Sequence, residues 1–287
     1  MTDKNPNTKL EDLEIELLLE GVVRYYGYDF RGYEPGAIKR RIKEAMLRAR
    51  VPTVSRFQER LLHDPAFLER FLRSLSNRRL SMFSDPSFYH AFRSRVVPVL
   101  KTYPFIRIWH LGCSTGQEVY SMAILLAEEG IYGRSRMYAT DLSGETVEEA
   151  RKGSFPVSAI EEYASNYLNA GGKGSFLDNF KQSHNRLVIR PSLRKSIVFS
   201  EHNLATDGSF NEFQVIVCRD VLTSFSKTLR ERVDSLIYDS LGRFGILALG
   251  STESLESMPH EACYELLDHR GRFYRKTGYG AGQACMS

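Results

Sequence analysis

The feature that most constrains the fold is an alternation that begins near residue 106. Short, nearly continuous apolar runs (IRIWHLG, MYATDL, SIVFSEHNL, FQVIVCRDVL and FGILALG) are separated by stretches with helical spacing, QEVYSMAILLAEEG, ETVEEARKG and LRERVDSLIYDSL. Runs without polar alternation fit strands buried on both faces, and intervening helices make the sheet parallel and cover it. An α/β fold is therefore expected for this part of the chain. Between residues 153 and 195 the pattern weakens. AGGKGSF and NFKQSH look like loops and LVIR like a short strand, so this stretch is expected to be an insertion.

Residues 1–80 follow a different pattern. LEDLEIELLLEGVVRYYG carries apolar residues at helical spacing and stops at Gly27. AIKRRIKEAMLRAR sets Ile38, Ile42, Ala45, Met46 and Ala49 on one face, with Lys39, Arg40, Arg41, Lys43, Arg48 and Arg50 mostly off it. Ser55 is the expected N-cap of RFQERLLHD, and Pro65 opens AFLERFLRSL. With no period-2 run, a small all-helical domain is predicted over 1–80. Residues 81–95 then form an interdomain segment, in which Phe88, Tyr89 and Phe92 read as core, and the α/β domain occupies 96–287.

Several classes are excluded by composition. No run approaches the ~18–20 apolar residues that span a bilayer, and acids fill the first 21 residues where a signal peptide has its apolar core. The four cysteines, Cys113, Cys218, Cys263 and Cys285, are widely spaced without a CxxC pair. That spacing disfavours a disulfide scaffold or a cysteine zinc site, and Cys113 and Cys218, in apolar strands, are expected to pack as buried thiols. His110 and His202 have no partner at ligand spacing, so no metal is expected. The cysteine usage fits a reducing cytoplasm, and a monomer is expected. Charge is uneven: residues 39–95 hold 14 Lys and Arg against 5 Asp and Glu, in a chain whose net charge is only +4. Such a segment suits either a solvated helix face or an acidic partner.

In an open α/β sheet, ligands sit where the strand order reverses, beyond the carboxyl ends of the strands. The first strand ends in Leu111-Gly112-Cys113-Ser114-Thr115-Gly116-Gln117-Glu118. Its two glycines allow close backbone approach, but the loop lacks both the G-x-G-x-x-G of dinucleotide sites and the lysine of a P-loop. A ligand without phosphate fits better. The second strand ends at Asp141, where an acid can accept from both ribose hydroxyls of a nucleoside. Glu118 alone suits a helix start and Asp141 alone a strand-end cap. Together, beside the glycine loop, they favour a positively charged nucleoside such as S-adenosylmethionine.

These residues also resemble a known family, the chemotaxis-receptor methyltransferases of the CheR type. YYGYDFRGYEPGAIKRRIKEAM and LLHDPAFLERFLRSL resemble its helical N-terminal domain, and SMFSDPSFY its interdomain segment. HLGCSTGQEVYSMAILL resembles its cofactor loop and YATDLSGETVEEARKGSFP its second strand and helix; EHNL, FQVIVCRDVLTSF and FGILALGSTESL follow in family order. The resemblance implies a small all-helical domain followed by a Rossmann-like class I methyltransferase domain with a small β-subdomain insertion near 153–195, which in some members binds a receptor tail. It also implies transfer of a methyl group from S-adenosylmethionine, leaving S-adenosylhomocysteine, to glutamates on acidic receptor helices. The loop residues Gly112, Ser114, Thr115 and Gly116 would cradle the cofactor. By the same resemblance Glu118 lies at the methionine end, Asp141 at the ribose, Asn203 and Leu204 at the adenine, and Asp220 and Val221 at a position usually read Asn-Val. The docking role falls to Lys39, Arg40, Arg41, Lys43, Arg48 and Arg50, with recruitment to membrane receptors and no membrane insertion.

The match breaks at the acceptor end. The family arginine is here Ser84, its tyrosine Ser224, its upstream threonine Leu80, and its asparagine Asp220. A serine cannot replace a forked guanidinium as a carboxylate clamp. Losing that contact costs about 2–4 kcal/mol of transition-state stabilisation, roughly 30- to 1000-fold in rate. Arg78 and Arg79 are candidates for a displaced arginine. An alternative reading is a pseudo-methyltransferase that holds the cofactor or its product and acts through a partner. Nucleic-acid methylation is disfavoured, because the fourth strand ends in Cys-Arg-Asp-Val rather than the (N/D)-P-P-(Y/F) turn of amino-methyltransferases.

Overall fold

The computed structural model describes residues 6–76 and 81–277. Arg78, Arg79, Leu80 and Cys285 lie outside the described residues. The first layer is helical, with α1 (Pro6–Tyr26), α2 (Pro35–Ala49), α3 (Val54–His63) and α4 (Pro65–Ser76). The expected apolar faces converge: Ile15, Leu18, Ile38, Ile42, Phe57, Leu61, Phe71 and Leu72 share one core. The Phe57 ring lies 5.1 Å from Phe67 and 5.5 Å from Phe71, both edge to face. The N-cap of α3 is Thr53, not Ser55; its hydroxyl accepts from the Arg56 N–H. Ser55 falls inside the helix because Val54, at its first position, is buried and draws the start two residues earlier.

The interdomain segment turns through two left-handed residues, Phe83 (φ 52°) and Asp85 (φ 60°). It then enters a continuous helix made of α5 (Pro86–Ala91), a π-helical turn Phe92–Val96, and α6 (Val97–Leu100). Phe88, Tyr89 and Phe92 are buried, as expected.

The remaining chain builds the predicted sheet. In order it runs β1 (Ile106–Leu111), α7 (Gln117–Glu128), β2 (Ser135–Asp141), α8 (Gly144–Lys152), β3 (Ser154–Pro156), α9 (Ile160–Asn169), β4 (Phe180–Ser183), β5 (Arg186–Ile189), α10 (Pro191–Arg194), β6 (Ile197–Glu201), β7 (Phe213–Cys218), α11 (Lys227–Ser240), β8 (Leu241–Leu249), β9 (Tyr264–Asp268) and β10 (Phe273–Lys276). Seven strands form one sheet in the order β6-β2-β1-β7-β8-β10-β9, parallel through β8 and antiparallel at β10 and β9. Successive β1 residues serve opposite faces. Ile106 and Ile108 pack in the core that holds α7, whereas Trp109 and Leu111 pack in the core that holds α11. The chain leaves β1 toward β2 on one side and returns to β7 on the other, so the order reverses beside β1.

Three elements depart from the expectations. NFKQSH, expected as a loop, contributes β4, which pairs with β5 across the two-residue turn His184-Asn185, with His184 at φ 53°. Its one buried residue, Phe180, gives too little pattern to show a strand, and the turn supplies the register instead. Together β3, β5 and β4 make the separate three-stranded antiparallel sheet of the insertion. The terminal hairpin β9–β10 had no reading in the sequence, because β9 is an edge strand without a buried residue. Finally, Cys113 and Cys218 are buried free thiols, but Cys263 is disulfide-bonded.

Phe57→Ala is expected to lower stability by about 3–5 kcal/mol in urea denaturation, because its cavity opens at the centre of the helical core. A loss below about 1 kcal/mol would contradict this packing.

Candidate functional site

A cleft opens at the carboxyl ends of the central strands. Seven predicted residues line it: Gly112 after β1, Asp141 at the end of β2, Asn203 and Leu204 after β6, and Asp220, Val221 and Ser224 after β7. This is the reversal point of the strand order, where loops from neighbouring parallel strands diverge and leave a crevice.

Local geometry explains why the loops stay open. The loop after β1 turns through Gly112 (φ 64°), Ser114 (φ 48°) and Gly116 (φ 92°). A Cβ on Gly116 would lie 3.1 Å from Tyr120 Cε2 and 3.2 Å from Ala150 Cβ, so glycine lets α7 start close against α8. The buried Asp141 carboxylate accepts from the Ser114 N–H at 2.8 Å and from the Ser143 N–H at 3.4 Å. One acid thus ties the β1 and β2 loops together. Behind it, Trp109 Nε1–H donates to Thr140 Oγ1 at 2.9 Å. On the adenine side expected from the sequence, the Asn203 side chain accepts from the Ala205 N–H at 3.0 Å, and the Asn203 N–H donates to Asp207 Oδ2 at 2.8 Å.

Five predicted residues lie apart from this lining. Ser114, Thr115 and Gly116 are in the loop itself, with Thr115 Oγ1 donating to the Gln117 side chain at 2.8 Å. Glu118, in the first turn of α7, accepts from Arg219 Nη1–H at 2.9 Å and lies 3.3 Å from His110 Nδ1. Ser84 forms a turn with Ser81 through its backbone N–H, and its neighbour Asp85 accepts from Arg219 Nη2–H at 3.1 Å.

Sequence reasoning passed over Arg219. Its guanidinium joins α7 to the interdomain segment and stacks on the Phe88 ring at 4.0 Å. Burial opposes its charge, but Glu118, Tyr89 and Asp85 outweigh it and raise its pKa. Also missed was Glu253, a buried acid after β8 that accepts three backbone N–H bonds. Neither could be found by spacing: Arg219 meets partners 101 and 134 residues away.

The helical layer closes the cleft. Tyr33 and Phe225 form a β-bridge and an edge-to-face ring pair at 5.0 Å, flanked by Glu34 N–H to Ser224 O and Ser226 N–H to Gly32 O. Tyr33, Arg41 and Leu75 line the cleft itself. The six basic residues expected to dock a partner, five on α2 and Arg50 at its cap, have different surroundings. Lys39 pairs with Glu11 and Asp12, and Lys43 with Glu11, all on α1. Arg41 turns to the cleft and donates to Ser74 O at 2.8 Å. Arg50 ends the helix in a left-handed cap; Arg40, Lys43, Arg48 and Arg50 are exposed, with Arg40 and Arg48 beside Glu44.

The crevice suits a cationic nucleoside. It offers two carboxylates, Asp141 and Asp220, and a backbone brought close by Gly112, with no phosphate-binding lysine in the loop. Among the described residues, no group of three His, Cys, Asp or Glu could hold a metal ion, and no helix is long and apolar enough to cross a membrane.

Comparison with known proteins agrees with this geometry. A candidate methyltransferase of Pseudomonas putida, Cher3, is 42% identical over 93% of this chain and 97% of its own length. A chemotaxis protein methyltransferase of Listeria monocytogenes is 28% identical over 93% of this chain and 100% of its own. An uncharacterized 104.1 kDa protein of Rhodobacter capsulatus is 27% identical over 88% of this chain but only 26% of its own length. Residues 13–76 match the CheR methyltransferase all-alpha domain and residues 80–268 the CheR methyltransferase SAM-binding domain. The chain belongs to the CheR methyltransferase family, whose cofactor is S-adenosylmethionine.

Proposed function

We propose that this protein transfers the methyl group of S-adenosylmethionine to glutamate carboxylates of a chemoreceptor or related signalling protein, acting in the cytoplasm as a monomer. The observation that carries the reading is the shared cleft. Residues expected to hold the cofactor and Arg41 of the basic helix α2 line one crevice, so a partner lying along α2 would be next to the reacting end. A carboxylate is already a nucleophile, so transfer needs placement and exclusion of water more than a general base. In this reading Asp141 receives the ribose hydroxyls and Asn203 and Leu204 border the adenine. Gly112, Ser114, Thr115 and Gly116 approach the cofactor through backbone, and Glu118 faces its ammonium end. Asp220 and Val221 close the cofactor wall, and Asp220 favours the sulfonium while opposing a second anion. Arg40 and Arg48 present charge to an acidic helix.

The departures at Ser84 and Ser224 support weaker transfer than in relatives that keep arginine and tyrosine there. Arg219 donates to Asp85, the residue that follows Ser84, which puts a guanidinium beside that position. Calorimetry should show micromolar binding of S-adenosylhomocysteine, weakened at least about tenfold in Asp141→Ala, a change of about 1.4 kcal/mol. Unchanged affinity would remove Asp141 from the site. With a labelled methyl donor and a chemoreceptor cytoplasmic fragment, the Ser84→Arg/Ser224→Tyr variant should methylate about 30- to 1000-fold faster than the parent. If both proteins bind cofactor and neither transfers methyl, the pseudo-methyltransferase reading replaces this one.

A further inference from the structure

We infer that Glu253 is a positioning residue for the cofactor cleft, holding the turn after β7 in the shape that binding requires. The inference rests on the cofactor reading above and extends it to a residue outside the cleft lining. Glu253 follows β8, is 4% exposed, and uses both carboxylate oxygens on backbone donors. Oε2 accepts from the Asp220 N–H at 2.8 Å and the Gly250 N–H at 2.9 Å, and Oε1 accepts from the Leu222 N–H at 2.7 Å. Two of those donors belong to the turn that presents Asp220, Val221 and Ser224 to the cleft.

That turn needs support. Asp220 sits at φ 57°, a region that a residue with a Cβ enters only at a cost. Its N–H bond to Glu253 fixes it there. Gly250 completes the joint by leaving no room for adjustment: a Cβ at 250 would lie 2.6 Å from Asp220 Oδ1 and 2.9 Å from Asp220 N. Burial raises the Glu253 pKa, with the Asp220 charge adding to it, while the three N–H bonds pull the other way. A neutral amide at 253 would turn one acceptor into a donor facing N–H groups, and a buried donor left without an acceptor loosens the joint. A merely structural acid would stabilise the fold without regard to the conformation of residue 220. A positioning acid acts through it.

The test is titration of the full chain with S-adenosylhomocysteine. Glu253→Gln is expected to weaken binding about tenfold or more while near-ultraviolet circular dichroism stays native. Adding Asp220→Asn, which enters the left-handed region more readily, should recover about half of that loss or more on a logarithmic scale. Should Glu253→Gln fail to fold, Gly250→Ala pushes on Asp220 directly and should weaken binding to the same degree. Parental affinity in a folded Glu253→Gln or Gly250→Ala protein would overturn the inference, as would a double variant no better than Glu253→Gln. A parent that binds no S-adenosylhomocysteine would instead overturn the cofactor reading on which it stands.

Discussion

The hydrogen bond from the Ser114 N–H to the buried Asp141 carboxylate is the interaction on which the site depends. It joins the loops after β1 and β2, two neighbours in a parallel sheet whose ends would otherwise be free to splay. The left-handed Ser114 presents its N–H there, and Gly112 and Gly116 on either side supply the turn that makes this possible. An unpaired carboxylate with Asp141's burial would carry a heavy desolvation cost, which the backbone donors offset.

The same device recurs around the crevice: a buried charge takes hydrogen-bond partners from more than one loop or element. Glu253 collects three N–H groups from the β7 and β8 turns, and Arg219 spans Glu118 and Asp85. Left-handed non-glycine residues accompany each of them, at Asp220 beside Glu253 and at Asp85 beside Arg219. Such conformations persist where the surroundings over-determine them, which is what a preorganised binding site requires. The Tyr33–Phe225 bridge extends this order to the helical layer and brings Arg41 to the cleft edge.

Much of this was legible in the sequence. The parallel strands declared themselves because β1 and β7 are buried at five of their six positions, leaving little polar alternation. Asp141 was legible because ligands in such a sheet sit beyond the strand ends at the reversal point, whereas Asn203 and Asp220 were legible only through the family resemblance. The pairings were not. Arg219 lies beside Asp220 in the chain, yet its partners come from α7 and the interdomain segment, and no periodicity encodes a contact across 101 or 134 residues. Lys39, Arg41 and Lys43 looked alike as charges on one helix, and only the placement of α1 and of the cleft separated an ion-paired lysine from a cleft-lining arginine. Strand β4 and the β9–β10 hairpin escaped notice for the opposite reason: edge strands bury too few side chains to leave an alternating pattern.

The central claim is that the crevice at the strand reversal, and not another surface, receives S-adenosylmethionine. Amide hydrogen exchange with and without S-adenosylhomocysteine tests it most directly. The account predicts added protection concentrated in residues 112–118, 141–143, 203–205 and 220–224. Protection confined to other segments, or an unchanged pattern at saturating ligand, would contradict it.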